Sequence, residues 1–258
     1  MNRRAFMAAA AACAIWKPSQ ALASTHGQEL VPLAAGARLL RFSAGGDDDD
    51  QVEFQVVVFE AAKCTLRVID QPARSIAANL GATMTSIGAI AGVNGGFFSK
   101  EFEPLGLVIS QGRRAGAWQK SSLLGGVVVV KKGRPMLLWR DEFKDGQGIT
   151  ELLQAGPRLV NHGTAMTGLE KKNHRPRTFI ATDNAGQWLL GIAQSTTLAG
   201  LAAMLATPGL IPHFEVDRAL NFDGGHSTGF WCRDGEGKVR YEEELSTVRN
   251  FVAVMPKD

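Results

Sequence analysis

Apolar and polar positions alternate with a period of two along most of this chain. In QVEFQVVVFEAAKCTLRVID (51–70), Cys64, Leu66 and Val68 alternate with Thr65 and Arg67. That is the period of a half-buried strand, and the two β-rich runs break at Ala61-Ala62-Lys63. SIAANL (75–80) reads as a short helix with Ser75 as its N-cap, and IGAIAGVNGGFF (87–98) as a buried strand that breaks at Asn94-Gly95-Gly96. LGLVISQGRRAG and LLGGVVVVKKGRPMLLWR carry turn chemistry at Gln111-Gly112 and Lys132-Gly133. RTFIATDNAGQWLLGIAQ is the clearest hairpin, two apolar runs around Asp183-Asn184-Ala185-Gly186.

Only TTLAGLAAMLATPG switches decisively to the helical period. Leu198, Leu201, Ala202 and Leu205 fall on one face, Thr196 or Thr197 can cap the start, and Pro208-Gly209 ends it. The chain then returns to β in RALNFDGG, in STGFWCRDGEGKVRYEEE with a turn at Asp234-Gly235, and in TVRNFVAVMP. Many strands with few helices, not in strict alternation, predict an α+β fold: one domain of mostly antiparallel β-sheet with a few helices packed on it. The pattern places that domain at 52–258, after a leader and acidic loop at 24–51, of which 24–36 read as loose.

Composition changes the picture mainly at the N-terminus. Residues 1–23 pair Arg3 and Arg4 with an apolar run and close on Ala21-Leu22-Ala23, which reads as a twin-arginine-type signal peptide, with an ordinary Sec signal as the alternative. The expected location is therefore periplasmic or secreted. The apolar run is too short for a permanent span, so no stable membrane anchor is expected. Removing Arg3, Arg4 and Lys17 with this segment leaves 25 basic residues against 25 acidic ones. Such a balance gives no nucleic-acid footprint. With 45% apolar residues the remainder can bury a large core. Cys64 and Cys232 remain, either as a disulfide or as two separate buried thiols. GGDDDD (45–50) is simplest as a solvated loop; its four carboxylates lack the spacing of an EF-hand.

The chemistry concentrates in NFDGGHSTGF (221–230). Gly225-His226-Ser227-Thr228-Gly229 matches the G-x-S-x-G pattern of serine hydrolases, whose elbow needs a helix after the serine and, in α/β hydrolases, a histidine later in the chain. The residues that follow read as aromatic, turn and strand, and no histidine follows Ser227. The competing feature is a pair: Asn94-Gly95-Gly96 and Asp223-Gly224-Gly225 each set a polar side chain before two permissive glycines at the end of an apolar run. Either could be a tight turn. Together they suggest two strand ends that offer functional groups and backbone donors to one ligand.

GVNGGFF (92–98), QAGPRLV (154–160), RPRTFIA (175–181) and ALNFDGGHST (219–228), in that order, resemble the phosphodiester glycosidases, relatives of the uncovering enzyme N-acetylglucosamine-1-phosphodiester alpha-N-acetylglucosaminidase. The resemblance spans roughly residues 52 to 256, with His226 where the family usually has glycine or another small residue. It implies hydrolysis at the sugar carbon of a sugar-1-phosphodiester or an envelope glycan. It also assigns roles. Asp223 faces the anomeric carbon as base or charge stabiliser, Arg177 clamps phosphate, and Asn94 donates to a sugar hydroxyl or phosphate oxygen. Gly95, Gly96, Gly224 and Gly225 supply backbone donors. Ser227 and Thr228 form a hydrogen-bonding wall, His226 is a phosphate donor or proton carrier, and Phe97 and Phe98 are sugar platforms or core. Glu101, Glu103, Asp183, Glu215 and Asp217 are candidates for a second carboxylate, and a divalent cation at Asp223 stays open. The competing classes are a glycan-binding protein without turnover and a phosphodiesterase that cuts the P–O bond.

Overall fold

The computed structural model describes residues 24–45 and 51–257. The expected signal peptide and the Asp47–50 run lie outside the described residues. Three antiparallel sheets make up the fold. The largest has eight strands in the order Ser24–Pro32, Arg38–Gly45, Val52–Glu60, Gln187–Thr196, Arg175–Thr182, Arg218–Asn221, Arg158–Asn161, Thr164–Ala165. A five-stranded sheet runs Val239–Glu242, Phe230–Arg233, Ala91–Asn94, Asn250–Pro256, Cys64–Asp70. Another runs Arg113–Ala115, Val108–Ser110, Ile149–Ala155, Gly126–Lys131, Arg134–Trp139.

All three sheets share one interior. Val57 and Phe59 of the large sheet, Val93 and Val252 of the second, and Val128 and Leu153 of the third belong to a single buried cluster. The large sheet is covered on its other face as well: Phe54, Val56 and Val58 pack with Leu201, Ala202 and Leu205 of the helix Leu198–Leu205. Burial on both faces explains why Val56-Val57-Val58-Phe59 reads as a continuous apolar run. The expected hairpin turns at 111–112, 132–133, 183–186 and 234–235 all join antiparallel partners. Thr197 caps the long helix by accepting from Gly200 N at 3.0 Å.

Two expectations need correction. Residues 24–36 are not a loose leader: they hold the strand Ser24–Pro32, which pairs with Arg38–Gly45 at the edge of the large sheet. Phe42 stacks on Phe54 at 4.9 Å between ring centroids, and Leu39 and Leu40 are buried, so burial across the sheet fixes this segment. The helix expected at 75–80 begins later. Ile76–Ala78 is one 3-10 turn without a side-chain cap, and the α-helix runs Leu80–Ser86 with Asn79 accepting from Ala82 N. Its buried positions, Leu80 and Met84, are four residues apart, whereas Ile76 is 87% exposed and gives the earlier segment nothing to pack.

Cys64 and Cys232 are both buried and unpaired. Burial raises the Cys64 thiol and pushes Cys232 up to about 12, so both stay protonated and inert. A reducing agent is therefore expected to leave the thermal midpoint unchanged; a fall in melting temperature under dithiothreitol would show a bond between them.

Candidate active site

The two polar-Gly-Gly bends leave different sheets and meet. The strand Ala91–Asn94 delivers the first and the strand Arg218–Asn221 the second. Asp223 N donates to Gly95 O at 2.9 Å, and Asn94 Nδ2 donates to the Asp223 carbonyl at 2.7 Å. Asn94 Oδ1 accepts from the Thr178 hydroxyl at 2.6 Å and from Gly229 N at 3.1 Å. Asn250 holds the first bend from behind: its carbonyl accepts from Gly95 N at 2.8 Å and its Oδ1 from Gly96 N at 2.7 Å. Glycine is needed at 95 because a Cβ there would stand 2.1 Å from Asn250 Oδ1.

These bonds change two expected roles. Asn94 is 1% exposed and committed at both ends of its amide, so it joins the bends and is not presented to a solute. Gly95 and Gly96 are buried with both N–H groups spent on Asn250. They make close approach possible and do not serve as ligand donors.

The second bend is the open one. Asp223, Gly224 and Gly225 are half-buried and His226 is exposed. Asp223 Oδ1 accepts from Gly224 N at 2.9 Å. Burial raises the Asp223 carboxyl above its ordinary range, while the Ser227 hydroxyl and Gly224 N pull the other way. Gly225 sits at φ +64°, a conformation open to glycine at little cost, and its N–H has no partner among the described residues. Ser227 is buried beside Asp223, and Thr228 Oγ1 is buried without a partner among the described residues.

Arg177 runs alongside this bend. A Cβ on Gly224 would sit 3.7 Å from Arg177 Cδ. Its Nε donates to Thr196 O at 3.0 Å, and Nη2 to Asn173 O at 2.7 Å and Glu170 Oε2 at 3.4 Å. Nη1 keeps no partner among the described residues, so one edge of the guanidinium is uncommitted. Arg175, two residues earlier, is exposed, and its Cδ would lie 3.8 Å from a Cβ on Gly225. The second bend is thus flanked by the stems of two arginines.

Ser227 is not on a nucleophile elbow. It ends a 3-10 turn, Gly225–Ser227, and a strand, Phe230–Arg233, follows in place of a helix. Phe98 packs edge-on against Phe102 at 5.4 Å and belongs with the core, while Phe97 is half-buried next to Gly96. The candidates for a second carboxylate are occupied elsewhere. Asp183 binds its own hairpin turn, Glu215 accepts from Gly209 N, and Asp217 sits beside Arg218 at the opposite end of the strand. Glu101 turns back on Ser99, and Glu103 lies 3.7 Å from Arg249. Among the described residues no three His, Cys, Asp or Glu side chains form a cage for a metal ion.

Sequence reasoning missed Thr178, Asn250, Glu170 and Arg175. Arg175 was legible only as part of a basic stretch with Lys171 and Lys172. Thr178 and Asn250 acquire their roles from strand register: Asn94 lies opposite Phe251, and Phe222 N donates to Thr178 O at 2.8 Å; Glu170 reaches Arg177 from the loop that precedes its strand.

Comparison with known proteins places this geometry in context. The sequence profile of the family Phosphodiester glycosidase matches residues 87–255. No curated protein sequence matches. Among solved structures, the catalytic domain of zebrafish N-acetylglucosamine-1-phosphodiester alpha-N-acetylglucosaminidase, auto-inhibited by its pro-peptide, superposes with a TM-score of 0.63 at 15% identity, covering 91% of this chain and 89% of that one. A hypothetical protein from Synechocystis gives 0.62 at 16% identity, covering 90% and 64%. A protein from Burkholderia pseudomallei K96243 gives 0.53 at 13% identity, covering 80% and 74%.

Proposed function

The chain belongs to the phosphodiester glycosidase family, and from that premise we propose that it hydrolyses the sugar C–O bond of a sugar-1-phosphodiester, releasing free sugar and a phosphomonoester. The observation that carries this reading is the Asp223 carboxylate, held by Gly224 N and Ser227 on a half-open bend against which the stems of Arg175 and Arg177 pack. Ordinary glycoside hydrolysis uses two carboxyl groups, one of them to protonate a poor leaving group. A phosphomonoester leaves as a stable anion and needs no strong acid. What it needs is positive charge where the anion develops, and Arg177 Nη1 and Arg175 supply that edge. The Gly225 N–H adds a neutral donor.

Asp223 acts as the base that draws a proton from the attacking water as the oxocarbenium-like centre forms. Ser227 orients the carboxylate and Asn94 fixes the backbone that carries it. The zebrafish enzyme's name specifies an N-acetylglucosamine-1-phosphodiester; at 15% identity that sugar is the first to test here. The proposal puts this reaction outside the cytoplasm, on the twin-arginine-type reading of residues 1–23.

The test is hydrolysis in oxygen-labelled water. The protein lacking residues 1–23 is incubated with UDP-N-acetylglucosamine and with an aryl phosphate diester of the same sugar, with and without chelator. Label in the released sugar is the expected result. Label in phosphate would mean attack at phosphorus, and no product from a panel of sugar phosphodiesters would make the protein a glycan binder.

A further inference from the structure

A groove away from Asp223 is built from the turns and strand ends at the other end of the large sheet. It has a volume of about 720 Å³ and is lined by Arg134, Arg218 and Lys257 over a floor that includes Met136 and Leu138. A second groove of about 560 Å³ carries Arg67 and Lys132 and shares Arg134 and Lys257 with the first. The two grooves meet at Arg134 and Lys257, and the trough they make is lined by five cationic side chains. One acid lines it, Glu142, and that carboxylate is neutralised by Arg218 Nη1 and Nη2 at 2.5 and 2.9 Å. Lys257 donates to Ala61 O. Arg67, Lys132 and Arg134 have no acidic partner within 4 Å among the described residues.

We infer that this trough is a second binding site, one that holds an acidic, phosphodiester-linked sugar polymer. Charge complementarity gives the polyanion: the full sequence carries 28 basic against 25 acidic side chains and has no general excess, yet the trough gathers four cations, Arg67, Lys132, Arg134 and Lys257, whose charge no acid offsets within 4 Å among the described residues. The occupant is a chain and not a small anion, because the cations are divided between two adjoining grooves. Single-stranded nucleic acid is disfavoured because the aromatic lining the trough, Trp188, is buried and offers no stacking face. Apolar Met136 and Leu138 suit the C–H faces of sugar rings. That the polymer is linked by phosphodiesters rests on the proposed function; the binding of a polyanion does not.

Register places the trough relative to the candidate site. Arg218 pairs with Thr182 and Asn221 with Phe179, and Asp223 follows two residues on. Five residues of extended chain span about 16 Å, at about 3.3 Å each. The trough therefore touches none of the groups around Asp223, and its loss leaves small substrates unaffected.

The experiment compares the parent with Lys132→Asn/Arg134→Glu, two exposed positions on one hairpin. Binding of poly(glycerol phosphate) is measured by calorimetry at low and high salt, beside dextran, a single-stranded oligonucleotide and phosphatidylglycerol vesicles. The parent is expected to bind poly(glycerol phosphate) and not dextran, with affinity falling as salt is raised. The variant is expected to bind about tenfold more weakly, at an unchanged thermal midpoint, with unchanged turnover of the aryl phosphate diester. Equal binding by the two proteins, no binding by the parent, or tighter binding of the oligonucleotide or the vesicles would overturn the inference. Failure of both proteins to hydrolyse any small diester would sink the catalytic reading while leaving a salt-sensitive, variant-sensitive polyanion site standing.

Discussion

Asp223→Asn is expected to lower turnover of a sugar-1-phosphodiester by about 10²–10⁴-fold while making the protein more stable at neutral pH. The loss follows from its place as the half-open carboxylate of the second bend, since a positioned general base contributes about that factor. The gain follows from burial. Burial raises the Asp223 carboxyl, so folding favours its neutral form. That favourable contribution is fully present below the unfolded-state value and is lost as pH rises through the folded value. Asparagine never ionises, keeps the bond from Gly224 N through its own Oδ1, and escapes that loss. The two proteins should melt together in mild acid and separate above the raised value, with the variant higher. Ser227→Ala removes the hydroxyl that favours the charged form, so it should reduce activity only in part and move the acid limb of the pH–rate profile upward. A variant ranking in which Ser227→Ala is the dead enzyme, or an Asp223→Asn that melts lower at neutral pH, would refute the assignment.

The candidate site and the fold around it were legible in the sequence only in outline. Hairpins were readable because their turn residues and flanking alternation are local: Lys132-Gly133 and Asp183 to Gly186 announce themselves without knowledge of any distant strand. The segment 24–45 was not, because its edge strand, Ser24–Pro32, has mixed polarity and its partner strand is buried only once Phe42 meets Phe54. The meeting of positions 94 and 223 was suggested by two similar tripeptides. What each polar side chain does there depended on depth. Asn94 and Asp223 stand before the same glycine pair, yet the asparagine is enclosed and the aspartate half-open. Nothing within either tripeptide distinguishes them; the third partners, Thr178 and Asn250, arrive from strands far along the chain.

That enclosure makes Asn94→Ala the most damaging single substitution expected for folding. Truncation orphans the Asp223 carbonyl, the Thr178 hydroxyl and Gly229 N together, in a site with no room for compensating contacts from solvent. Each buried group left without a partner costs about 1–3 kcal/mol, so the total for three is about 3–9 kcal/mol, a large share of the roughly 5–15 kcal/mol that holds a domain together. Thr178→Val removes one of those groups with its partner's other bond, from Gly229 N, still in place, and should cost only about 1 kcal/mol. In the double variant the hydroxyl is no longer there to be stranded, so the combined loss should be smaller than the sum of the two. Urea titrations of the four proteins measure this coupling. Activity assayed well below the Asn94→Ala midpoint adds the functional readout. With its backbone anchor gone, Asp223 loses its fixed position, and turnover should fall even where the variant is fully folded. Additive costs, or a folded Asn94→Ala with the parent's turnover, would show that the two bends are held together by something other than this amide.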